Sequence, residues 1–274
     1  MAALVRTANA GVSLLTDAVL RETTGIVVAF TERTGGRSTG PFASLNLASH
    51  VGDDHTSVDE NRARLLESLG MERLRDRLTV PEQVHGLTVR AVTGATAGMG
   101  AFARTDAPPP VPATDALYTL EPETPLMMCF ADCVPVILVA TTPVRAVSVV
   151  HAGWRGALGR LPGAAAVRLS NAAGCEPADL IAYIGPHIGA CHYEVGETLL
   201  SQFANAFGSI AVAQGRLDLS AVVSKSLDEV GVPHSSVVHA GVCTAERTDA
   251  FYSYRTEGLT GRHGAIACIL GAGR

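Results

Sequence analysis

The sequence predicts a mixed α/β protein, and three observations carry that expectation. Short apolar runs rich in Val, Ile and Ala, such as Ile26-Val27-Val28-Ala29-Phe30-Thr31, recur along the chain and have the length of buried strands. Segments with helical spacing and clear stops lie between them, such as the one that ends at Gly70. No Pro/Gly/Ser-rich linker divides the chain, so residues 1–274 read as a single α/β (α+β) domain with mixed sheets.

The elements follow in order. Ile26 to Thr31 is a buried strand, and Thr34-Gly35-Gly36-Arg37-Ser38-Thr39-Gly40-Pro41 is a turn-rich loop. A helix opens at Val58 and runs to Gly70, with Leu65, Leu66 and Leu69 on one face. Leu78 to Val84 and Thr88 to Val92 have strand composition and flank His85. Residues 94–113 are loop. Within them Gly98-x-Gly100-x-x-Ala103 matches a relaxed dinucleotide fingerprint, but prolines follow instead of a helix, so the match is accidental. Pro125 to Ala140 and Val144 to His151 are continuously apolar, as central strands covered on both faces are. Arg155 to Ala173 is an Ala- and Leu-rich helix, Leu180 to Gly185 a strand and Val195 to Phe207 a helix. A further helix starts near Leu217, capped by Asp218 or Ser220, and Val237 to Val242 returns as a strand.

With 47% hydrophobic and 17% charged residues in 274, the chain can bury a substantial core, which excludes disorder. The net charge of −5 and the scattered basic residues give no footprint for nucleic acid. Asp17 and Arg21 interrupt the apolar part of the N-terminal region, so it does not have the form of a secretion signal. No stretch approaches the length of a membrane span. The expectation is a cytoplasmic protein without membrane or nucleic-acid partners. Six cysteines (129, 133, 175, 191, 243 and 268) form neither a dense framework nor a C-x-x-C pair, and the default for each is a small buried hydrophobe.

Three residues stand out by setting. His85, Cys133 and His151 each sit where strand-like sequence breaks off beside Gly, Asp or Pro, at places where functional side chains emerge from sheets. Two imidazoles and a thiol suit a three-coordinate catalytic zinc site with a fourth position open. The same atoms suit a cysteine–histidine nucleophile pair. The separations of 48 and 18 residues follow no local ligand-spacing rule, so the residues leave both readings open. Asp132 faces away from Cys133 in an extended chain, although a turn would let it orient an imidazole. Cys191 and His192 are adjacent, which disfavours joint ligation for the same reason, and packing is expected of both. The histidines at 50, 55, 187, 192, 234, 239 and 263 are expected to be partly buried and hydrogen bonded. Trp154 is expected to fill the core.

Ordered motifs from about residue 30 onward carry a resemblance. They include Phe30-Thr31-Glu32-Arg33-Thr34-Gly35-Gly36, Ser44-Leu45-Asn46-Leu47, Val51-Gly52-Asp53-Asp54, Glu60-Asn61-Arg62 and Gln83-Val84-His85-Gly86. Thr114-Asp115-Ala116-Leu117, Asp132-Cys133 and His151-Ala152-Gly153-Trp154-Arg155-Gly156 continue the series. Ile184-Gly185-Pro186, Tyr193-Glu194-Val195-Gly196, Phe251-Tyr252-Ser253-Tyr254-Arg255 and Thr260-Gly261-Arg262 close it. The chain resembles the family long labelled multicopper polyphenol oxidases or laccase-domain proteins. That family is understood as purine nucleoside phosphorylases that also deaminate adenosine. The resemblance implies a layered α/β/β/α architecture similar to cysteine hydrolases, and zinc on His85, Cys133 and His151. Asn46, Arg62 and Arg155 stand in matching motifs and suit phosphate or ribose. The chain departs at His192, where family members often carry a second cysteine.

The leading expectation is therefore a zinc enzyme that cleaves adenosine, inosine or methylthioadenosine with phosphate and also deaminates adenosine. The alternatives are a copper-binding, laccase-like polyphenol oxidase and a cysteine hydrolase using Cys133 and His151. One Cys and two His can hold a copper, but a several-copper assembly needs more histidines in close motifs than the sequence has.

Overall fold

A computed structural model describes residues 2–271. Strands β1 (Val5–Asn9) and β2 (Val12–Thr16) lead through helix α1 (Ala18–Thr24) to β3 (Ile26–Thr31). Helix α2 (His55–Ser68) follows, then β4 (Val89–Ala91), β5 (Ala116–Thr119) and β6 (Leu126–Phe130). Strands β7 (Val134–Ala140) and β8 (Ala146–Ala152) precede helices α3 (Trp154–Leu158) and α4 (Leu161–Ala173). Next come β9 (Ile181–Ile184), α5 (Glu197–Phe207), β10 (Val212–Ala213), β11 (Arg216–Leu217) and α6 (Leu219–Asp228). Strand β12 (Val237–His239), helix α7 (Tyr254–Glu257) and β13 (His263–Ile269) complete the order.

Two mixed or antiparallel sheets form the middle layers. One has the order β1-β2-β3-β13-β6, the other β12-β9-β7-β8-β5-β4, and β10 and β11 make a separate ribbon. Strand alternation separates the core into three interlayer packings. Val28, Phe30, Met128, Ala265 and Ala267 of the first sheet meet Leu117, Ile137, Val139, Val147 and Val149 of the second. Val27, Ala29, Met127 and Ile266 turn the other way, onto Leu65, Leu66 and Leu69 of α2. Val134, Val136, Leu138 and Val150 pack outward against Leu161, Ala165 and Leu169 of α4 and Val222 and Val223 of α6. This is the layered α/β/β/α architecture that the resemblance implies. Every residue of β7 and β8 is buried, as their continuous apolar sequence predicts. Truncating Ile137, fully buried between the sheets, to Ala costs about 2–5 kcal/mol.

Several boundaries differ from the sequence expectation, each for a local reason. Helix α2 starts at His55, because Asp54 caps it by accepting from the Ser57 N–H at 2.8 Å. Residues 78–84 form no strand. They make only isolated bridges at Thr79 and Pro81, and Pro81 has no N–H to give to a ladder. The expected helix 155–173 is broken, since Arg160 adopts φ 58° between α3 and α4. Asp218 is the cap of α6, accepting from the Ala221 N–H at 2.9 Å. The apolar block 125–140 divides between the two sheets, and residues 131–133 are the crossing. Strands β1, β2, β5 and β13 had no counterpart in the sequence reading.

Candidate metal centre and its cavities

The crossing at 131–133 opens one end of the space between the sheets, and strand register delivers the site there. Pro135 pairs with His151 and Val134 with Ala152, so Cys133 comes opposite Gly153. The inward parity of Ile137 and Val139 continues to Cys133, and that of Val147 and Val149 to His151. His85 arrives from outside the sheets, on a loop where it holds φ 58°.

Asp115, immediately before β5, organises these parts. It is fully buried, and its carboxylate Oδ1 lies 2.8 Å from His151 Nδ1. A carboxylate only accepts, so Nδ1 carries a proton and Nε2 is the nitrogen turned to the cavity. The same carboxylate accepts from the backbone N–H groups of Val84, His85 and Gly86 at 3.3, 3.0 and 2.7 Å. One buried side chain therefore fixes one imidazole directly and the other through its loop. Burial opposes the charge of Asp115, yet the hydrogen bonds from His151 and Gly86 hold it below the usual carboxylate range. Burial likewise opposes a Cys133 thiolate, but the His151 and His85 imidazoles outweigh it and draw the thiol down. His151 moves the opposite way: burial works against its charge, while Cys133 and Asp115 raise it.

The donor set fits a metal. Candidate ligand atoms of His85, Cys133 and His151 all lie within 4.8 Å of one another, with Cys133 Sγ 3.7 Å from His85 Nε2. Zn–S of about 2.3 Å and Zn–N of about 2.0–2.1 Å at tetrahedral angles give an S···N edge of about 3.5–3.6 Å. Gly153 is required beside them. A Cβ there would stand 2.8 Å from His85 Cδ2 and 3.0 Å from Cys133 Sγ.

Two cavities meet at His85, Ala131, Cys133 and Tyr254. One, of about 190 Å³, adds Asp132, Ile188, Tyr193, Leu219 and Arg255. The other, of about 240 Å³, adds His50, Gln83, Cys129, His151 and Arg262. A neighbouring space of about 490 Å³ shares His50, Gln83 and Cys129 and reaches Arg62. The second cavity is electropositive. Burial lowers the pKa of His50 first, and Arg262, Arg62, His151 and His85 lower it further.

The structure brings the two histidines and Cys133 together but distributes the other expected residues differently. Asn46 is fully buried, donating to Ala48 O and Asp53 Oδ2 and accepting from the Ala48 and Arg262 backbone N–H groups. It anchors the backbone that carries Arg262. Arg62 is also buried, giving Nε and Nη1 to the carbonyls of Leu47, Gly100 and Ala101. Arg155 is exposed and stacks on Trp154 at 4.3 Å, outside both cavities, and the half-buried Trp154 packs against the core as expected while also carrying that contact. Asp132 does not orient an imidazole. Its carboxylate accepts from Thr244 Oγ1 at 2.6 Å and from the Arg255 N–H at 2.8 Å, and Asp115 has the orienting role.

Of the remaining histidines only His187 and His263 are buried, and the others are exposed. His50 lines the second cavity and the space beside it. Cys191 and His192 do not pack, because both lie in an exposed turn. Arg262, Tyr254 and Tyr193 all stood in family motifs, which was the signal available for them. Nothing in the sequence marked His50.

A four-layer α/β/β/α protein with a Cys–His₂ ligand set at the open end of its sheets is the class these observations define. The chain belongs to the family described as multi-copper polyphenol oxidoreductase laccase, whose model matches residues 27–270. It is 38% identical to the purine nucleoside phosphorylase YlmD of Geobacillus stearothermophilus, over 87% of this chain and 88% of that one. It is 35% identical to the purine nucleoside phosphorylase Cgl2154/cg2365 of Corynebacterium glutamicum, over 88% and 93%. The crystal structure of the Geobacillus YlmD superposes with a TM-score of 0.88 at 34% identity, over 99% and 100% of the two chains. That of the Bacillus licheniformis hypothetical protein YfiH gives 0.85 at 30% identity, over 93% and 96%.

Proposed function

We propose that this chain is a zinc-dependent purine nucleoside phosphorylase with adenosine deaminase activity. One observation carries the reading: relatives named purine nucleoside phosphorylase match nearly the whole chain, and its Cys–His₂ cluster lies where two unlike cavities meet. His85, Cys133 and His151 would hold the zinc. Zinc bound there supplies Lewis acidity, polarising an oxygen or lowering the pKa of water.

The chain's own residues divide the remaining work. Arg262 and His50 suit inorganic phosphate, with buried Arg62 adding positive charge from behind. Ile188, Leu219, Tyr193 and Tyr254 offer apolar and aromatic surface to a purine or ribose. Asp115 keeps a proton on His151 Nδ1 and so leaves Nε2 as the nitrogen that would hold the zinc. No helix among the described residues is long and apolar enough to cross a membrane. The six free thiols suit a cytoplasmic location.

Products settle the activity. With adenosine and phosphate, adenine and ribose 1-phosphate are expected, and without phosphate the adenine disappears while inosine still forms. Inosine and methylthioadenosine should likewise yield free base only with phosphate. Phosphate-independent turnover confined to esters or amides would sink the reading.

The lowered thiol of Cys133 beside a raised His151 favours one other reading, a cysteine hydrolase. Alkylation separates the two. A ligand thiolate reacts slowly until a chelator is added, whereas a nucleophile reacts fast with or without it.

A further inference from the structure

Strands β9 and β12 are parallel neighbours, so the segments that follow them leave the same end of the sheet, and they turn at residues 190–192 and 244–246. The first turn, closed by the His192 N–H on Gly189 O at 3.0 Å, presents Cys191 and His192 together. The second, closed by the Arg247 N–H on Cys243 O at 3.1 Å, presents Cys243 and Glu246. A bridge between His187 and Cys243 joins the two segments. The turn removes the objection to adjacent residues acting jointly, since it brings both side chains to one side.

We propose that Cys191, His192, Cys243 and Glu246 form a second metal site, closed by four protein ligands and suited to a divalent ion such as zinc. Their candidate ligand atoms all lie within 4.8 Å of one another. His192 Nδ1 is 3.2 Å from Cys191 Sγ, 3.8 Å from Cys243 Sγ and 3.6 Å from Glu246 Oε1. The corresponding edges of a tetrahedral zinc site are about 3.5–3.6 Å for S···N and about 3.4 Å for N···O.

Hydrogen bonds link Cys191 to Glu246 and Cys243, but they do not satisfy the contacts that meet at His192 Nδ1. One imidazole nitrogen has a single proton or a single lone pair, and here three acidic groups converge on it. A cation satisfies all four at once. The Gly189 N–H also donates to Cys243 Sγ at 3.2 Å and ties the two turns together. A Cβ at Gly189 would stand 3.0 Å from Cys191 Sγ and 3.3 Å from Cys243 Cβ, so a side chain there would press on both cysteines. On binding, both thiols release their protons to solvent and no bond within the chain breaks.

Four protein ligands leave no open position, so the role is structural. The site staples the turn preceding Tyr193, a cavity residue, to the segment whose Thr244 holds Asp132 beside Cys133.

Metal counting on the full chain tests this. Protein purified under reducing conditions and dialysed against buffered zinc should hold about two ions per chain, and Cys133→Ala about one. Adding Cys243→Ala to Cys133→Ala should remove the remaining ion. Glu246→Gln, an exposed change that the fold tolerates, should weaken that ion's affinity roughly ten-fold or more in the Cys133→Ala background. Cobalt-loaded Cys133→Ala should still show thiolate-to-cobalt charge transfer. A metal-free Cys133→Ala protein, a cobalt form lacking that band, or a Cys191–Cys243 disulfide found by intact mass would each overturn the proposal. None of these readouts depends on nucleoside turnover.

Discussion

The two ligand clusters are assembled by opposite routes. His85, Cys133 and His151 come from three separate parts of the chain, a loop, the crossing just before β7 and strand β8, and meet only because register and a buried carboxylate align them. Cys191, His192, Cys243 and Glu246 come as two pairs on two turns, and only the pairing of β9 with β12 is needed to join them. The first cluster has three ligands and opens on two cavities, while the second has four and faces solvent. An open ligand set leaves room for chemistry and needs a rigid surround. A closed set supplies rigidity itself.

The largest expected difference between them lies in that surround. Asp115→Asn keeps the shape but replaces one of two acceptor oxygens by an NH2 donor, so it cannot accept from both His151 Nδ1 and the Gly86 N–H, and the imidazole or the His85 loop loses its anchor. Zinc affinity at the first site and phosphorolysis should fall about 10–100-fold, and the second site should keep its ion. Chelator competition combined with turnover measures both. Loss of both ions would show that the two clusters are not independent.

A matched pair of glycines sharpens the comparison next. Gly153→Ala puts a methyl against His85 and Cys133, and Gly189→Ala puts one against Cys191 and Cys243. Each should reduce metal affinity at its own site roughly ten-fold or more and spare the other, with Gly153→Ala alone abolishing most turnover. Crossed effects would contradict the separation of the two clusters.

Within the first site, Arg262 is expected to distinguish the two proposed reactions. Arg262→Ala should raise KM for phosphate about ten-fold, the equivalent of about 1.4 kcal/mol, and change deamination far less. An equal loss in both would assign Arg262 to a shared part of the substrate.

Acid separates the buried centre from the exposed turns. His263, on the inner end of β13 between Phe130 and Phe251, is buried, and burial pushes its pKa down to about 3. The unfolded chain therefore binds a proton below about 6.5 that the folded chain refuses. Its contribution opposes folding increasingly as pH falls from about 6.5 to about 3, by at most about 1.4 kcal/mol per pH unit. His263→Leu should flatten the dependence of the denaturation midpoint on pH over that window. An unchanged slope would assign acid sensitivity to other groups.

The sequence was most informative where chemistry and local pattern coincide. Strand β3, the buried pair β7 and β8, and the positions of Cys133 and His151 near strand ends could all be read from apolar runs and their breaks, whereas the strand expected before His85 is a loop. The layered architecture came through the family motifs, since no periodicity tells which sheet a strand joins. Periodicity could not show that the apolar block 125–140 crosses between sheets, because β6 and β7 are both continuously apolar. Asp115 was visible only as a motif letter, and its role depends on the pairing of β5 with β8. The Cys191–His192 pair was misread because neighbours were assumed to lie on an extended chain, and the turn at 190–192 reverses that conclusion.

Arg155 gives the smallest expected effect and tests how far a motif position can be trusted. Its motif, His151-Ala152-Gly153-Trp154-Arg155-Gly156, contains a candidate ligand and the glycine that makes room for it, so the sequence placed the arginine with phosphate. Helix α3 starts at Trp154 and turns the following side chain outward, where the guanidinium lies 4.3 Å from the Trp154 ring centroid and lines neither cavity. An exposed cation–π contact contributes about 0.5–1 kcal/mol. Arg155→Ala should therefore lower stability by about that amount and leave KM for phosphate within about two-fold of wild type. A phosphate KM raised as much as by Arg262→Ala would mean that α3 moves inward when substrate binds, bringing Arg155 to the anion.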